Sequence, residues 1–264
     1  MLRQKRESVA QPPAETTRPN NLLLAALSQA DFALLRPGLT PLVLPVRHVI
    51  EDADKPIKHV YFLETGIASV VAVYAGAGQV EVGLIGREGM SGVVVVLGDH
   101  RSANSTYMQV AGSGFRIAAD DLRAAMEQSA TLRHSFLQFA QAFMIQTAQT
   151  AAANARASAD QRLARWLLMA HDRLDGDALP LTHEFLALML AVLRPGVTIA
   201  LHRLKGKGLI RPERGRVILR DRKGLEALAG ACYGVPEAEY RRLTDKQSHK
   251  TVRPRAKRPS RATR

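Results

Sequence analysis

Runs in which every second residue is apolar occur along residues 41–115, and glycine-containing turns at residues 64–66, 76–78 and 112–114 separate them. A two-residue period is typical of half-buried strands. Short strands with glycine turns at nearly regular spacing predict an antiparallel barrel or roll. Residues 93–97 are continuously apolar, which we interpret as one more buried strand of this unit.

The period changes after residue 119. Asp120 and Asp121 suit the first turn of a helix. In residues 131–157 the apolar positions then recur at spacings of three and four, on two faces of one long helix. One face holds Leu132, Phe136, Phe139 and Phe143, and the other holds Leu137, Ala140, Met144, Ala148, Ala151 and Ala155. We expect the first face to pack on the β-unit and the second to pair with another copy of the chain; a core helix within a monomer is the alternative.

Residues 160–220 have the pattern of a compact helical unit followed by a hairpin. A first helix stops near residues 175–177, a second begins after the N-cap residue Thr182, and a turn follows at residues 192–194. Pro195 then suits the start of a third helix, because the N–H that proline lacks is not needed there. Helix, turn, helix and hairpin predict a winged helix-turn-helix, which docks on DNA.

Charge supports this interpretation because it divides unevenly along the 264 residues, whose net charge is +13. Residues 21–193 hold 13 Lys and Arg against 16 Asp and Glu, whereas residues 194–264 hold 20 against 6. A basic C-terminal quarter indicates a polyanionic partner, most often nucleic acid. Because the helices of residues 160–193 are not basic, we interpret the charge of residues 194–222 as a DNA-contacting surface and not as a solvated face.

The third helix of this unit has an apolar face and a polar face, and the polar face is the one available to DNA. For contacts with base edges we expect Arg194, Thr198, His202 and Arg203. For contacts with phosphates we expect Lys205, Lys207, Arg214 and Arg216. Arg211, Arg220 and Arg222 complete the basic cluster predicted at the end of the helix and on the hairpin.

Other classes of protein are disfavoured by composition. The apolar fraction of 46% is ordinary for a globular domain, and the single cysteine, Cys232, allows no internal disulfide and no cluster held by four thiolates. No apolar run is long enough for a transmembrane helix, and residues 1–20 lack the apolar region of a secretory signal. No catalytic arrangement of Ser or Cys with His stands out, and no spacing of ligands suggests a metal. We expect a cytoplasmic protein that is not an enzyme and has no membrane partner.

Three stretches resemble the Crp/Fnr (cyclic-AMP receptor protein) superfamily of transcription regulators. They are THEFLALMLAVLRPGVTIALHRLKGKGLIR at residues 182–211, HVYFLETGIAS at 59–69 and VEVGLIGREGM at 80–90. The resemblance implies a sensory β-roll of the cyclic-nucleotide-binding type, a long dimerisation helix and a winged helix-turn-helix. It also implies a homodimer on an inverted-repeat promoter site, with RNA polymerase as a further partner. Arg194 falls where the family has an arginine at the start of its recognition helix, whereas Pro195, Gly196 and Ile199 depart from the best-known members and leave the target sequence open.

The resemblance also bears on the effector. Nucleotide-binding members carry a Gly-Glu pair, then Arg-Ser or Arg-Ala, to hold the ribose and the cyclic phosphate. This chain has Arg101 and Ser102, a possible anion or effector site, but residues 91–93 (Ser-Gly-Val) supply no carboxylate. We therefore expect a regulator that does not depend on cyclic AMP and has no cofactor, with a cyclic-nucleotide-responsive regulator as the alternative. The cysteine set of the oxygen-sensing branch is absent, so no iron–sulfur cluster is expected.

Together these patterns predict an α+β fold with a defined order of units. Residues 1–20 form a disordered arm, 21–130 the β-roll, 131–158 the dimerisation helix, 159–230 the winged helix-turn-helix, and 231–264 a short helix with a basic disordered tail. The predicted function is that of a homodimeric, sequence-specific DNA-binding regulator of transcription. A peripheral membrane or RNA-binding protein that uses the basic tail is the alternative from another class.

Overall fold

The computed structural model describes residues 19–74, 78–190 and 194–244. The basic tail beyond residue 244 lies outside the described residues, and so does nearly all of the arm predicted at residues 1–20. The same holds for parts of the turns predicted at residues 76–78 and 192–194.

The first part of the described chain is rich in strands. Its elements are α1 (Leu22–Ala26), α2 (Gln29–Leu35), β1 (Thr40–Leu44), β2 (Val49–Glu51), β3 (His59–Leu63), β4 (Ile67–Tyr74), β5 (Gly78–Ile85), α3 (Val93–Val96), β6 (Ser105–Val110) and β7 (Gly112–Ala118). The strands pair in the orders β1-β7-β3 and β2-β6-β4-β5, and every pair is antiparallel. The predicted antiparallel roll is thus confirmed.

The second part is mainly helical. Its elements are α4 (Ala119–Gln128), α5 (Ala130–Arg156), α6 (Ala159–His171), β8 (Ala178–Leu179), α7 (His183–Leu190), α8 (Arg194–Gly206), β9 (Ile210–Glu213), β10 (Arg216–Leu219), α9 (Arg222–Ala229) and α10 (Val235–Thr244). The small sheet has the order β8-β10-β9. Asp120 and Asp121 lie in the first turn of α4, and the Thr182 hydroxyl accepts the Phe185 N–H at 3.3 Å, as N-caps do.

The prediction of a strand at residues 93–97 is wrong, because Val93–Val96 forms the short helix α3. Gly92 adopts the left-handed conformation (φ 69°) that turns the chain into the helix, and its carbonyl accepts the Val95 N–H at 2.9 Å. Val95 and Val96 are buried in the core of the roll. Four consecutive valines favour a strand locally, but here tertiary packing overrides that preference.

Helix α5 packs on a segment of the roll, residues 83–92, in which every third residue is glycine. A Cβ on Gly89 would collide with the Phe139 ring, and one on Gly83 would approach the Phe143 ring to 2.7 Å. The Gln146 side chain of α5 also accepts the Leu84 N–H at 2.7 Å. These two glycines therefore make room for the aromatic face of α5.

The winged unit packs directly against the roll. Ile67, Leu84 and Val110 of the roll belong to the same apolar core as the buried face of α6, so the two units share buried surface. Helix α6 ends at His171, four residues before the predicted stop, and the chain then turns through Gly176 with φ at 76°. The C-terminal helix α10 packs along α5 and returns the chain toward the roll.

A buried carboxylate joins the roll to the winged unit. Glu81 of β5 accepts the Ser69 hydroxyl at 2.5 Å and the indole N–H of Trp166, on α6, at 2.9 Å. Burial raises the pKa of Glu81 from its ordinary 4.5 to about 7, against the opposing effects of these two hydrogen bonds and of Arg165. Glu81 therefore takes up a proton near neutral pH at the contact between the two units.

Replacing this carboxylate should change how stability depends on pH. Because the pKa of Glu81 is higher in the folded chain than in the unfolded one, its stabilising effect is complete below pH 4.5 and is lost as the pH rises to about 7. The loss amounts to about 3 kcal/mol at most. Urea denaturation of Glu81→Gln between pH 5 and 7.5 should show a flatter pH dependence of the unfolding free energy than the wild type. The exposed control Glu127→Gln should match the wild type; equal slopes for all three proteins would contradict the raised pKa.

Candidate nucleic-acid interface

Helix α8 has the two-sided character expected of a helix that lies in the DNA groove. Val197, Ala200, Leu201 and Leu204 are buried against the unit's core. The expected base-reading residues Arg194, Thr198, His202 and Arg203 are all exposed. Since these positions recur at the helical period, they form one solvent-facing strip that we call the α8 face.

Thr198 and Arg203 of the α8 face have partners within the protein that bear on their availability to DNA. The Thr198 hydroxyl donates to the Arg194 carbonyl at 3.3 Å, which leaves its oxygen free to accept a further hydrogen bond. Arg203 lies 3.6 Å from the Asp160 carboxylate at the start of α6. At that distance and with 63% of the arginine side chain exposed, the pair is weak, so Arg203 can exchange Asp160 for another acceptor.

Ile199 also lies on the α8 face, with 52% of its surface exposed. The family resemblance places it at a second base-reading position, commonly arginine, but it was not among the residues expected to contact bases. An exposed isoleucine on this face supplies an apolar surface of the kind that contacts the thymine methyl group. The 3.6-residue period, counted from Thr198 and His202, was the signal that could have included it.

The end of α8 and the hairpin β9–β10 carry the remaining basic residues. Lys205, Lys207, Arg214 and Arg216 are exposed, as expected for residues that contact phosphate. Arg216 and Arg211 both pair with Glu213, at 2.5 and 2.8 Å, and the hydrogen bond from Arg216 lowers the pKa of Glu213. Among the expected phosphate contacts, Arg216 therefore already has a carboxylate partner.

Arg222 does not belong to the basic cluster of the hairpin, contrary to the prediction. It starts α9 and points back toward the end of α6, where it pairs with Asp172 at 2.8 Å and donates to the Tyr233 hydroxyl at 2.7 Å. Its guanidinium also pairs with Glu226 at 2.9 Å. Sequence adjacency suggested the wrong neighbours because the chain turns away from the hairpin after Leu219.

The two residues expected at the effector site of the roll differ in their exposure to solvent. Arg101 is exposed, and Ser102 is buried with its hydroxyl accepting the Asn104 N–H at 3.0 Å. The Gly92 N–H, at the start of α3, donates to the buried carboxylate of Glu51 at 2.5 Å. Glu51 also accepts the Thr106 hydroxyl at 3.2 Å, and burial raises its pKa. An internal carboxylate thus already occupies this donor.

The described residues contain no group of three or more His, Cys, Asp or Glu that could hold a metal ion. Across the same residues, no helix combines the length and apolar character needed to span a membrane.

Comparison with known proteins identifies the unit that contains this interface. Residues 161–228 match the family model of the Crp-like helix-turn-helix domain. The match runs from α6 into α9 and so includes the α8 face and the hairpin. No curated protein matches the chain.

Solved structures resemble the chain over most of its length. A Crp/Fnr-family protein from Eubacterium rectale is 18% identical with a TM-score of 0.61 and covers 78% of this chain and 97% of its own. FixK2 from Bradyrhizobium japonicum is 17% identical with a TM-score of 0.64, over 73% of this chain and 98% of its own. TTHB099, a CRP-family transcriptional regulator from Thermus thermophilus, is 21% identical with a TM-score of 0.60, over 73% and 97%. At these identities the likeness establishes the fold, and it confirms the predicted order of roll, long helix and helix-turn-helix.

Proposed function

Because this chain carries a Crp-like helix-turn-helix domain on the fold of the Crp/Fnr transcription regulators, we propose that it is a homodimeric, sequence-specific regulator of transcription that does not depend on cyclic AMP. The single observation that carries the proposal is the α8 face, an exposed polar strip on the helix of a matched DNA-binding domain, flanked by Lys205, Lys207 and Arg214.

The chemistry of this surface fits duplex DNA. Arginine on the α8 face suits bidentate contact with guanine, and Thr198 and His202 offer further hydrogen bonds to base edges. Lys205, Lys207 and Arg214 are exposed cations at the end of α8 and on the hairpin, where they can neutralise phosphates on either side of the groove. The α8 face therefore reads sequence, and the surrounding cations set the affinity and its dependence on salt.

Dimerisation is supported by the second face of α5. Leu137 and Met144 are 40% and 58% exposed, and the alanines that follow at 148, 151 and 155 are exposed as well. Successive positions are seven, four, three and four residues apart along a 27-residue helix, as in a helix pair that buries a continuous seam. Ala140, which the sequence placed on the same face, is instead buried in the core of the roll. A pair of such helices would present two copies of α8 about 34 Å apart, the spacing of successive major grooves, and so favour an inverted-repeat site.

Independence from cyclic AMP is supported by the contacts of the roll. A cyclic phosphate needs unoccupied donors, but the Gly92 N–H already donates to Glu51. Residues 91–93 themselves supply no carboxylate for a ribose hydroxyl. We propose that the protein needs no cofactor and that Glu51 takes the place of an external anion at the start of α3. A cyclic-nucleotide-responsive regulator remains the second candidate because Arg101 and Ser102 are retained.

The proposed function calls for a cytoplasmic location, where promoter DNA and RNA polymerase are accessible. RNA polymerase is proposed as a further partner only because the family resemblance implies it. A membrane or RNA partner for the basic tail rests on residues 245–264, which lie outside the described residues.

Two variants should distinguish residues that read bases from residues that contact phosphates. Their affinities are compared on a site selected from random duplex DNA and on random duplex itself. Arg194→Ala should lose about 5- to 100-fold in affinity for the selected site and little for random duplex. Lys207→Ala should weaken binding to both duplexes and lower the slope of log affinity against log salt by ~0.9. Fluorescence anisotropy at several salt concentrations measures both effects, with Lys58→Ala on the roll as control. Equal losses on both duplexes for Arg194→Ala would contradict its role in reading bases.

The dimer should depend on the second face of α5. Ala151→Glu places a carboxylate on the seam in both copies, where desolvation and like-charge repulsion oppose pairing. Sedimentation velocity should give a monomer for this variant and a dimer for the wild type. Ala33→Glu makes the same change on an exposed alanine of α2 and should remain dimeric. A dimeric Ala151→Glu variant would show that the chain pairs through another surface.

Isothermal titration calorimetry with cyclic AMP and cyclic GMP distinguishes the proposed regulator, which does not depend on cyclic AMP, from the cyclic-nucleotide-responsive alternative. We expect no saturable heat up to about 1 mM of either nucleotide, because the Gly92 donor is occupied. Saturable heat that disappears in Arg101→Ala would establish the second candidate instead. DNA affinity measured with and without nucleotide should then change in the same titration range.

A further inference from the structure

A cavity of about 300 Å³ lies where the roll, α5, the end of α6 and the C-terminal helix α10 meet. This volume is at the lower end of the range for small-molecule sites. The cavity is separate from the α8 face and from Arg101 and Ser102, none of which lines it.

The wall that α5 and α10 contribute is largely apolar. Phe139, Ala142 and Pro236 line the cavity and are buried, and the Phe143 ring is half-buried beside them. Such a surface favours the hydrocarbon part of a ligand, because the transfer of apolar groups from water onto it lowers the free energy.

The acidic groups at the cavity already have donors. Glu88 pairs with Arg173 at 2.8 Å, Asp172 pairs with Arg222 at 2.8 Å, and Glu237 accepts the Gly234 N–H at 3.1 Å. A cationic ligand would therefore have to displace existing partners, most of which are themselves charged.

The available charge at the cavity is positive. Arg241 of α10 lines the cavity, is exposed, and its guanidinium forms no ion pair or hydrogen bond with the other residues that the structure describes. Arg87 of the roll also lines the cavity and donates to the Arg173 carbonyl and to the exposed Asp175. Guanidinium groups beside an apolar wall favour a carboxylate over a neutral head group.

We propose that this cavity binds a small organic acid whose carboxylate meets Arg241 and whose alkyl chain or ring lies against Phe139 and Ala142. Binding itself does not depend on the proposed function, whereas its consequence for DNA does.

The consequence follows from what surrounds the cavity. The Tyr240 hydroxyl of α10 donates to the Glu88 carbonyl in the roll at 2.7 Å, and the Tyr233 hydroxyl donates to Asp172 at the end of α6 at 2.7 Å. The segment that closes the cavity thus contacts both the roll and the DNA-binding unit. A ligand there stabilises the arrangement of the two units in which the cavity is formed and shifts the population toward it.

The test uses calorimetry on the full chain without DNA, with octanoate and phenylacetate as probes and 1-octanol as the neutral match. We expect saturable heat from at least one acid and none from the alcohol. Arg241→Gln should weaken the acid about fivefold. Arg242→Gln, whose wild-type residue pairs with Glu239 outside the cavity, should bind like the wild type. Ala142→Phe should abolish binding by filling the apolar wall, with circular dichroism to confirm its fold.

Saturable heat from neither acid would overturn the proposal. So would equal binding of 1-octanol, or undiminished binding by both Arg241→Gln and a folded Ala142→Phe variant. Anisotropy with duplex DNA, with and without the acid, then measures the regulatory effect. If the protein bound no DNA at all, the proposed function would be contradicted. The calorimetry, which contains no DNA, would still decide whether the cavity binds an organic acid.

Discussion

The fold depends on the burial of one face of α5. Phe136 and Phe139 pack into the roll, and Gly89 leaves the space that the Phe139 ring fills. Gln146 then fixes the helix to the backbone of β5 at Leu84. Because one face is held by the roll, the opposite face is directed to solvent in the single chain. The placement of α6 to α9, and with it the position of α8, follows from where α5 ends.

The roll and the DNA-binding unit are joined by polar as well as apolar contacts. Ile67 and Leu84 share a core with α6, while Glu81 holds the Trp166 indole within that otherwise apolar contact. Buried polar groups of this kind are costly unless every partner is in place, so they specify one relative arrangement of the two units. Glu81 and the ligand proposed beside α10 both lie where these two units meet.

The fold was largely predictable from residue periods, and the candidate DNA surface was predictable in part. The alternation of strands, the long helix and the helix-turn-helix are local patterns, and each was confirmed. Thr198 and His202 lie on the exposed side of α8 because a helical period fixes which residues share a face. Ile199 shares that face, but its apolar side chain carried no charge signal. The contact of Arg203 with Asp160 joins residues 43 positions apart, which no local pattern reveals.

What the sequence by itself determined was the order and type of most elements and the concentration of positive charge after residue 194, because both are properties of neighbours along the chain. Tertiary structure alone decided that Val93–Val96 is helical, that Arg222 turns away from the hairpin, and that Glu51 reaches the Gly92 N–H. Each of these depends on groups brought together from distant parts of the chain. Their burial and hydrogen bonding outweigh local preference, since a buried polar group left unpaired costs more than an unfavourable propensity.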